Sequence, residues 1–225
     1  MRPNVFIAGF PRCASTYLFN ILKQHPDISV SKVKEPNYFN WKYIFFGYPN
    51  YRSPFRKNKF SEYLSLFKDE PVRIDSSILA SYDHECAQRI YERLGDVKII
   101  FLVRNKETHK QSLYKIMLHN GDIPLISYNT FLKNYQRLIN FYTDFEQHIE
   151  VFKNQFSHVK KFNLIDRDTK KEIKKILRFL KVPDYKFNYD VDMNSSSKDP
   201  PATLLHRIKR RILVKFPFLA KSQWE

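Results

Sequence analysis

Val5–Thr16, VFIAGFPRCAST, is the stretch that decides the fold. Val5–Ala8 is an apolar run of strand length, and Gly9 permits a close turn. The loop Gly9–Ser15 carries Arg12 and leads into the hydroxyl pair Ser15 and Thr16. From Thr16 to about Gln24, the apolar residues Tyr17, Leu18, Ile21 and Leu22 form one helical stripe, which His25-Pro26-Asp27 stops. A strand that feeds a helix through a tight loop presents unpaired N–H groups and the positive end of the helix dipole. It is therefore a site for an anion such as phosphate or sulfate.

The loop is not that of the common nucleotide triphosphatases. Ala14 stands where a second glycine would fall, and no lysine precedes the hydroxyl pair. G-x-G-x-x-G is also absent from a chain with only four glycines. Taken alone, the loop reads equally well as an ordinary turn with a solvent-facing arginine.

Downstream, strands and helices alternate. Ile28–Val30 is extended, Tyr43–Lys59 reads as an irregular aromatic and basic excursion, and Phe60–Phe67 as a short helix. Pro71–Ser77 reads as a strand and His84–Gly95 as a helix closed by its glycine. Val97–Val103, VKIIFLV, is the strongest strand, apolar on both faces as buried parallel strands are. A helix through Met117 follows, then a long helical region over Tyr128–Gln147 and a strand at Val159–Ile165. In the helix that begins at Thr169, Thr169 and Glu172 have capping-box spacing. Its Ile173, Ile176, Leu177 and Leu180 make the apolar stripe. This alternation predicts one α/β domain over residues 1–225, three-layered around a central parallel sheet, with a basic tail from about 194 to 225.

The chain of 225 residues has a formal net charge of +16, which favours anionic partners: nucleotides, nucleic acid, acidic glycans or a membrane surface. Cys13 and Cys86 are too few for a disulfide framework. No secretory leader precedes the first strand and no apolar run reaches membrane-span length, so a cytoplasmic protein is expected. No His/Cys/carboxylate cluster has metal-ligand spacing, and none of the usual nucleic-acid motifs occurs.

A second element sharpens the anion reading. In VRNKETHKQSLY, Arg104 ends the strongest strand, at the carboxyl edge where ligands of open α/β sheets bind. Ser112 lies eight residues further on, in the following helix, so the pair could clamp a second phosphate.

With both elements in hand, the chain resembles the sulfotransferases that use 3′-phosphoadenosine 5′-phosphosulfate (PAPS), nearest their heparan-sulfate and bacterial carbohydrate branch. GFPRCASTYLFNIL resembles the family's 5′-phosphosulfate loop, and VRNKETHKQSLY its 3′-phosphate signature. HPDISVSKVKEPNYF is similar to its segment ending in Lys-Glu-Pro and aromatics, and EIKKILRFLKVP to a later helix. The resemblance implies a P-loop-kinase-like fold and transfer of a sulfuryl group from PAPS to an acceptor hydroxyl. It leaves adenosine 3′,5′-bisphosphate (PAP) as product and needs no metal.

By the same resemblance, Arg12 takes the place of the loop lysine on the sulfuryl and 5′-phosphate oxygens. Cys13, Ala14, Ser15 and Thr16 hold the 5′-phosphate, and Arg104 with Ser112 the 3′-phosphate. Glu35 matches the general base, and Lys198 the basic residues that reach the donor from the C-terminal part. Arg12 and Arg104 would thus grip opposite ends of one carrier. The acceptor implied is a glycan, with a lipid or small metabolite next; the oligomeric state is not given. Asn37 and Asn40 stand where the heparan-sulfate 3-O branch has histidine and aspartate, and RIDSSILAS lacks that branch's lysine. The rival readings are a P-loop-like kinase using ATP and a non-enzymatic basic polyanion binder. His84 and His109, the other base candidates, read as surface histidines, and Cys13 as a small loop residue rather than a nucleophile. The Arg207–Lys215 cluster reads as facing water or an anionic acceptor, and the aromatics of Trp41–Tyr51 as core or a sugar-stacking wall.

Overall fold

A computed structural model describes residues 1–40, 44–45, 48–49 and 59–191. Its centre is an all-parallel five-stranded sheet in the order β2-β5-β1-β6-β7. The strands are β1 (Val5–Gly9), β2 (Ile28–Val30), β5 (Val72–Asp75), β6 (Lys98–Leu102) and β7 (Val159–Phe162). Strands β3 (Ile44–Phe45) and β4 (Tyr48–Pro49) form a separate antiparallel pair within the stretch read as irregular. Apart from Lys59, the rest of that stretch lies outside the described residues, as do Lys198 and the basic tail.

Every residue of β1 is buried, and β6 is buried from Ile99 to Leu102. Strands of this kind lie between helical layers, which is why VKIIFLV carries no alternation. The central register sets Phe6 opposite Asp75 on one side and Ile99 on the other. Phe10, just past β1, stacks on Phe101 and Phe145 at centroid distances of 5.4 and 4.5 Å. The segment entering the anion loop is thereby anchored in the core.

The helices are α1 (Ser15–Leu22), α2 (Phe60–Leu64), α3 (His84–Leu94), α4 (Lys106–Asn120), α5 (Tyr128–Asn134), α6 (Gln136–Thr143), α7 (Phe145–Lys153) and α8 (Thr169–Leu180). Two helical regions and one strand differ from the sequence expectation for local reasons. The region Tyr128–Gln147 is broken where Tyr135 leaves helical geometry and where the Asp144 side chain accepts from Gln147 N, restarting the helix as α7. The capping box of α8 does not form. Asp168 caps instead, accepting from Lys171 N at 3.0 Å, while Thr169 Oγ1 donates to the Leu164 carbonyl. β7 ends at Phe162 because Asn163 Oδ1 accepts from Ile165 N and Asp166 N, turning the chain. A short 3₁₀ turn, Ile78–Tyr82, follows β5 and had no counterpart in the sequence reading.

Candidate active site

Four chain segments meet at the carboxyl edge of the sheet: the loop after β1, Arg104 after β6, Ser76-Ser77 after β5, and the Lys34–Asn40 segment after β2. Neighbouring strands lie about 4.8 Å apart, so adjacent loops fall within reach of one small molecule.

The loop owes its shape to two left-handed residues, Arg12 at φ 66° and Ala14 at φ 67°. Alternating right- and left-handed geometry curls successive N–H groups into an anion-binding concavity. Ala14 is the residue before α1, and its side chain makes no cap. Ser15 is buried and Thr16 half-buried at the helix start. Gly9 is required by proximity, since a Cβ there would lie 2.9 Å from Ser81 Cβ and 3.2 Å from Phe101 Cδ1.

The structure brings Arg12, Arg104 and Ser112 together. Arg104 Nη1 donates to the Arg12 carbonyl at 3.0 Å, and its Nε to Thr108 Oγ1 at 3.1 Å. Arg12 Nε donates to Ser112 Oγ at 3.1 Å. Burial, followed by the neighbouring charge of Arg104, pushes the Arg12 guanidinium below its usual range. Two cations held this close disfavour each other's charge, and an anion between them relieves the penalty. α4 is capped by Asn105, which accepts from Glu107 N and Thr108 N, and Asn105 N donates to Asp166 Oδ2. This pins the start of the helix that delivers Ser112.

Cys13 is fully buried, and burial pushes its thiol well above the ordinary range, which argues against a nucleophile. His109 is not a surface residue. It is 1% exposed, and its Nε2 lies 3.0 Å from the Pro11 carbonyl. The sequence held the signal, because His109, Leu113 and Met117 are spaced four apart on the buried stripe of α4.

Glu35 is half-buried, with φ 57°, and its carboxylate pairs with Lys34 Nζ at 2.5 Å. Behind it runs a network that the sequence reading missed. Asn37 Nδ2 donates to the Glu35 carbonyl, and Asn40 Nδ2 to Asn37 Oδ1. Asn37 N donates to Ser77 Oγ at 2.9 Å, and Ser77 Oγ donates to Asp75 at 2.6 Å. Tyr63 OH also donates to Asp75, at 2.7 Å. Burial raises the Asp75 carboxyl to about 6 against the opposing pull of these hydroxyls, and the charge of Glu35 adds to the rise. Its only sequence signal was an acid ending a buried strand.

A groove of about 370 Å³ between β7 and α8, lined among others by Lys160, Arg167 and Arg178, includes none of these residues. The candidate edge is distinguished by its convergent polar groups rather than by concavity. Among the described residues, no group of three His, Cys, Asp or Glu could hold a metal ion, and no helix is long and apolar enough to cross a membrane.

Comparison with known proteins bears on the fold and the family. Over 80 residues the chain is 32% identical to human carbohydrate sulfotransferase 15, a match that takes in 35% of this chain and 14% of the human protein. It thus spans a small part of that relative's length. A sulfotransferase from Alicyclobacillus acidocaldarius superposes with a TM-score of 0.69 at 20% identity, covering 98% of this chain and 94% of that one. Mouse sulfotransferase SULT7A1, solved in complex with PAP, gives 0.53 at 18% identity over 82% and 61% of the two chains. Both show the same fold. The family model described as "Sulfotransferase domain" matches residues 2–191, and the chain belongs to that family.

Proposed function

We propose that this chain transfers a sulfuryl group from PAPS to an acceptor hydroxyl, with a carbohydrate as acceptor. The observation that carries the reading is the linkage of the two cationic elements, Arg104 to the Arg12 carbonyl and Arg12 to Ser112. A donor with anionic groups at two ends of one nucleoside matches such a pair; a mononucleotide engages only one. The family match supports sulfuryl transfer, the partial likeness to a carbohydrate sulfotransferase supports the acceptor class, and the PAP-bound mouse neighbour supports the donor.

The loop amides of Cys13 to Thr16, with the Ser15 and Thr16 hydroxyls, hold the 5′-phosphate. Arg104 and Ser112 hold the 3′-phosphate, and Lys198 adds charge from the C-terminal part. Arg12 neutralises the sulfuryl and bridging oxygens as charge builds there. Sulfuryl transfer, like phosphoryl transfer, passes a loose in-line transition state that needs positioning and charge stabilisation. Glu35 takes the proton of the acceptor hydroxyl as its oxygen bonds to sulfur. The bond from sulfur to the 5′-phosphate oxygen breaks, and PAP leaves as an anion that needs no proton. The two free, buried thiols, Cys13 and Cys86, suit the reducing cytoplasm.

The test is a melting-temperature comparison, since a ligand that occupies a native site stabilises the fold. PAP is expected to raise Tm well above the shift given by AMP, and labelled PAPS to label a glycan in preference to lipids or phenols. Equal shifts with PAP and AMP would remove the 3′-phosphate pocket, and labelling of phenols alone would remove the carbohydrate.

A further inference from the structure

His109 turns away from solvent toward the anion loop, from the same helix that carries Ser112. Its Nε2 faces the Pro11 carbonyl at 3.0 Å. A carbonyl only accepts, so Nε2 bears the proton. The other nitrogen, Nδ1, is buried with no hydrogen-bond partner among the described residues. Burial, with the charges of Arg104 and Arg12 nearby, pushes the imidazole down to about 4, so the ring is neutral at ordinary pH. Leaving one buried nitrogen unsatisfied is unfavourable, and an apolar side chain in this place would avoid it. What distinguishes histidine from such a side chain here is its bond to Pro11.

That bond bears on the loop's geometry. A trans peptide is planar, with its N–H opposite its C=O. Turning the Pro11 carbonyl toward α4 therefore turns the Arg12 N–H away from it. Arg104, by taking the Arg12 carbonyl, does the same for the Cys13 N–H. The Arg12 and Cys13 amides are thereby both turned away from the groups that take these carbonyls, next to the left-handed Arg12 and Ala14.

We infer that His109 is a positioning residue of the anion loop: its Nε2–H holds the Pro11 carbonyl so that the Arg12 amide faces the bound phosphate. The inference rests on the donor site proposed above. His109 touches no reacting atom and acts through Pro11. It also couples the loop to the helix bearing Ser112, so one element tunes binding at both ends of the donor.

The experiment compares the full chain with His109→Phe, which keeps a ring without a donor, and His109→Gln, which keeps a side-chain N–H. Affinities for PAP and AMP are measured by calorimetry. His109→Phe is expected to weaken both ligands about tenfold, the loss of one well-placed hydrogen bond, because the loop serves both. His109→Gln is expected to recover most of this, to within about threefold of wild type. With PAPS turning over, the phenylalanine variant raises KM for the donor while its kcat falls by less. A purely space-filling role would leave His109→Phe near wild type and give His109→Gln no advantage. A ¹⁵N imidazole spectrum of the wild-type protein adds a test independent of variant folding: a neutral Nε2–H tautomer supports the inference, and an Nδ1–H tautomer overturns it. Wild-type protein indifferent to PAP would sink the donor assignment as well. PAP binding alongside an unimpaired His109→Phe overturns the inference alone.

Discussion

Arg104 and Arg12 are joined through the main chain: Nη1 of Arg104 donates to the Arg12 carbonyl at 3.0 Å, while the Arg12 guanidinium reaches Ser112 Oγ at 3.1 Å. The two cationic elements are therefore one unit, each using a group of the other. Removing Arg104 should disturb both ends of the donor. A charge-assisted hydrogen bond contributes about 1.5–3 kcal/mol. Arg104→Ala is thus expected to weaken PAP by about a hundredfold or more and AMP by about tenfold, because the loop is unlatched. Ser112→Ala should weaken PAP about fivefold and AMP by less, through the Arg12 guanidinium that it holds. Calorimetric titration of both ligands reads the pattern. AMP affinity untouched in Arg104→Ala would refute the coupling.

Glu35 makes its contacts with other groups than Arg104 and Ser112 do. It is held by Lys34 and by the Asn37–Ser77–Asp75 network, which make no donor contact in the reading above. Glu35→Gln keeps the shape and removes the base. Turnover is expected to fall by about 10²–10⁴-fold, the usual worth of a positioned proton acceptor. The Tm rise with PAP should match wild type. A variant with near-normal turnover would move the base elsewhere.

The alternation of strands and helices was legible because period and apolar content are local properties: Val5–Gly9 and Lys98–Leu102 form where the sequence predicts them. Arg12 and Arg104 drew attention for different reasons: Arg12 sits in a loop that feeds a helix N-terminus, and Arg104 follows a buried strand, where a charge needs a partner. What escaped depends on partners distant in sequence. The spacing of His109 with Leu113 and Met117 marks it as buried, but its bond to Pro11, 98 residues away, has no local signal. Asp75 gains meaning only with Tyr63, Ser77 and Asn37 around it. The break at Asp144 was a contest between a side-chain cap and a continuing helix, which spacing alone does not decide.

Gly9 tests the packing beneath the loop. An alanine there would set its Cβ 2.9 Å from both Ser81 Cβ and Oγ, and Ser81 is itself fixed by a hydrogen bond to the Ile78 carbonyl. Overpacking of this kind costs about 1–3 kcal/mol. In a domain of this size, Gly9→Ala should then lower Tm by about 3–10 °C. It should also weaken PAP, because the loop begins at the displaced residue. A Tm equal to wild type by calorimetry would show that the contact is relieved freely.

Asp75 makes a prediction about pH. Its carboxyl titrates near 6 in the folded chain against an ordinary value of 3.8, chiefly through burial. The folded state therefore binds this proton more tightly than the unfolded state. The stabilisation is complete below about pH 4 and lost as pH rises through about 6. A shift of about two units corresponds to about 3 kcal/mol over that window. His109 acts in the opposite sense: its lowered value makes stability rise with pH across a similar range, so the wild-type curve alone hides both. The difference between wild type and Asp75→Asn isolates the carboxyl, because His109 is common to both. Asparagine can still accept from Tyr63 OH but does not titrate. Urea denaturation between about pH 4 and pH 7 should show wild type losing about 3 kcal/mol relative to the variant. Parallel curves would mean that the Tyr63 and Ser77 hydroxyls hold the buried carboxylate at its ordinary value, and the network behind Glu35 would then carry a fixed charge.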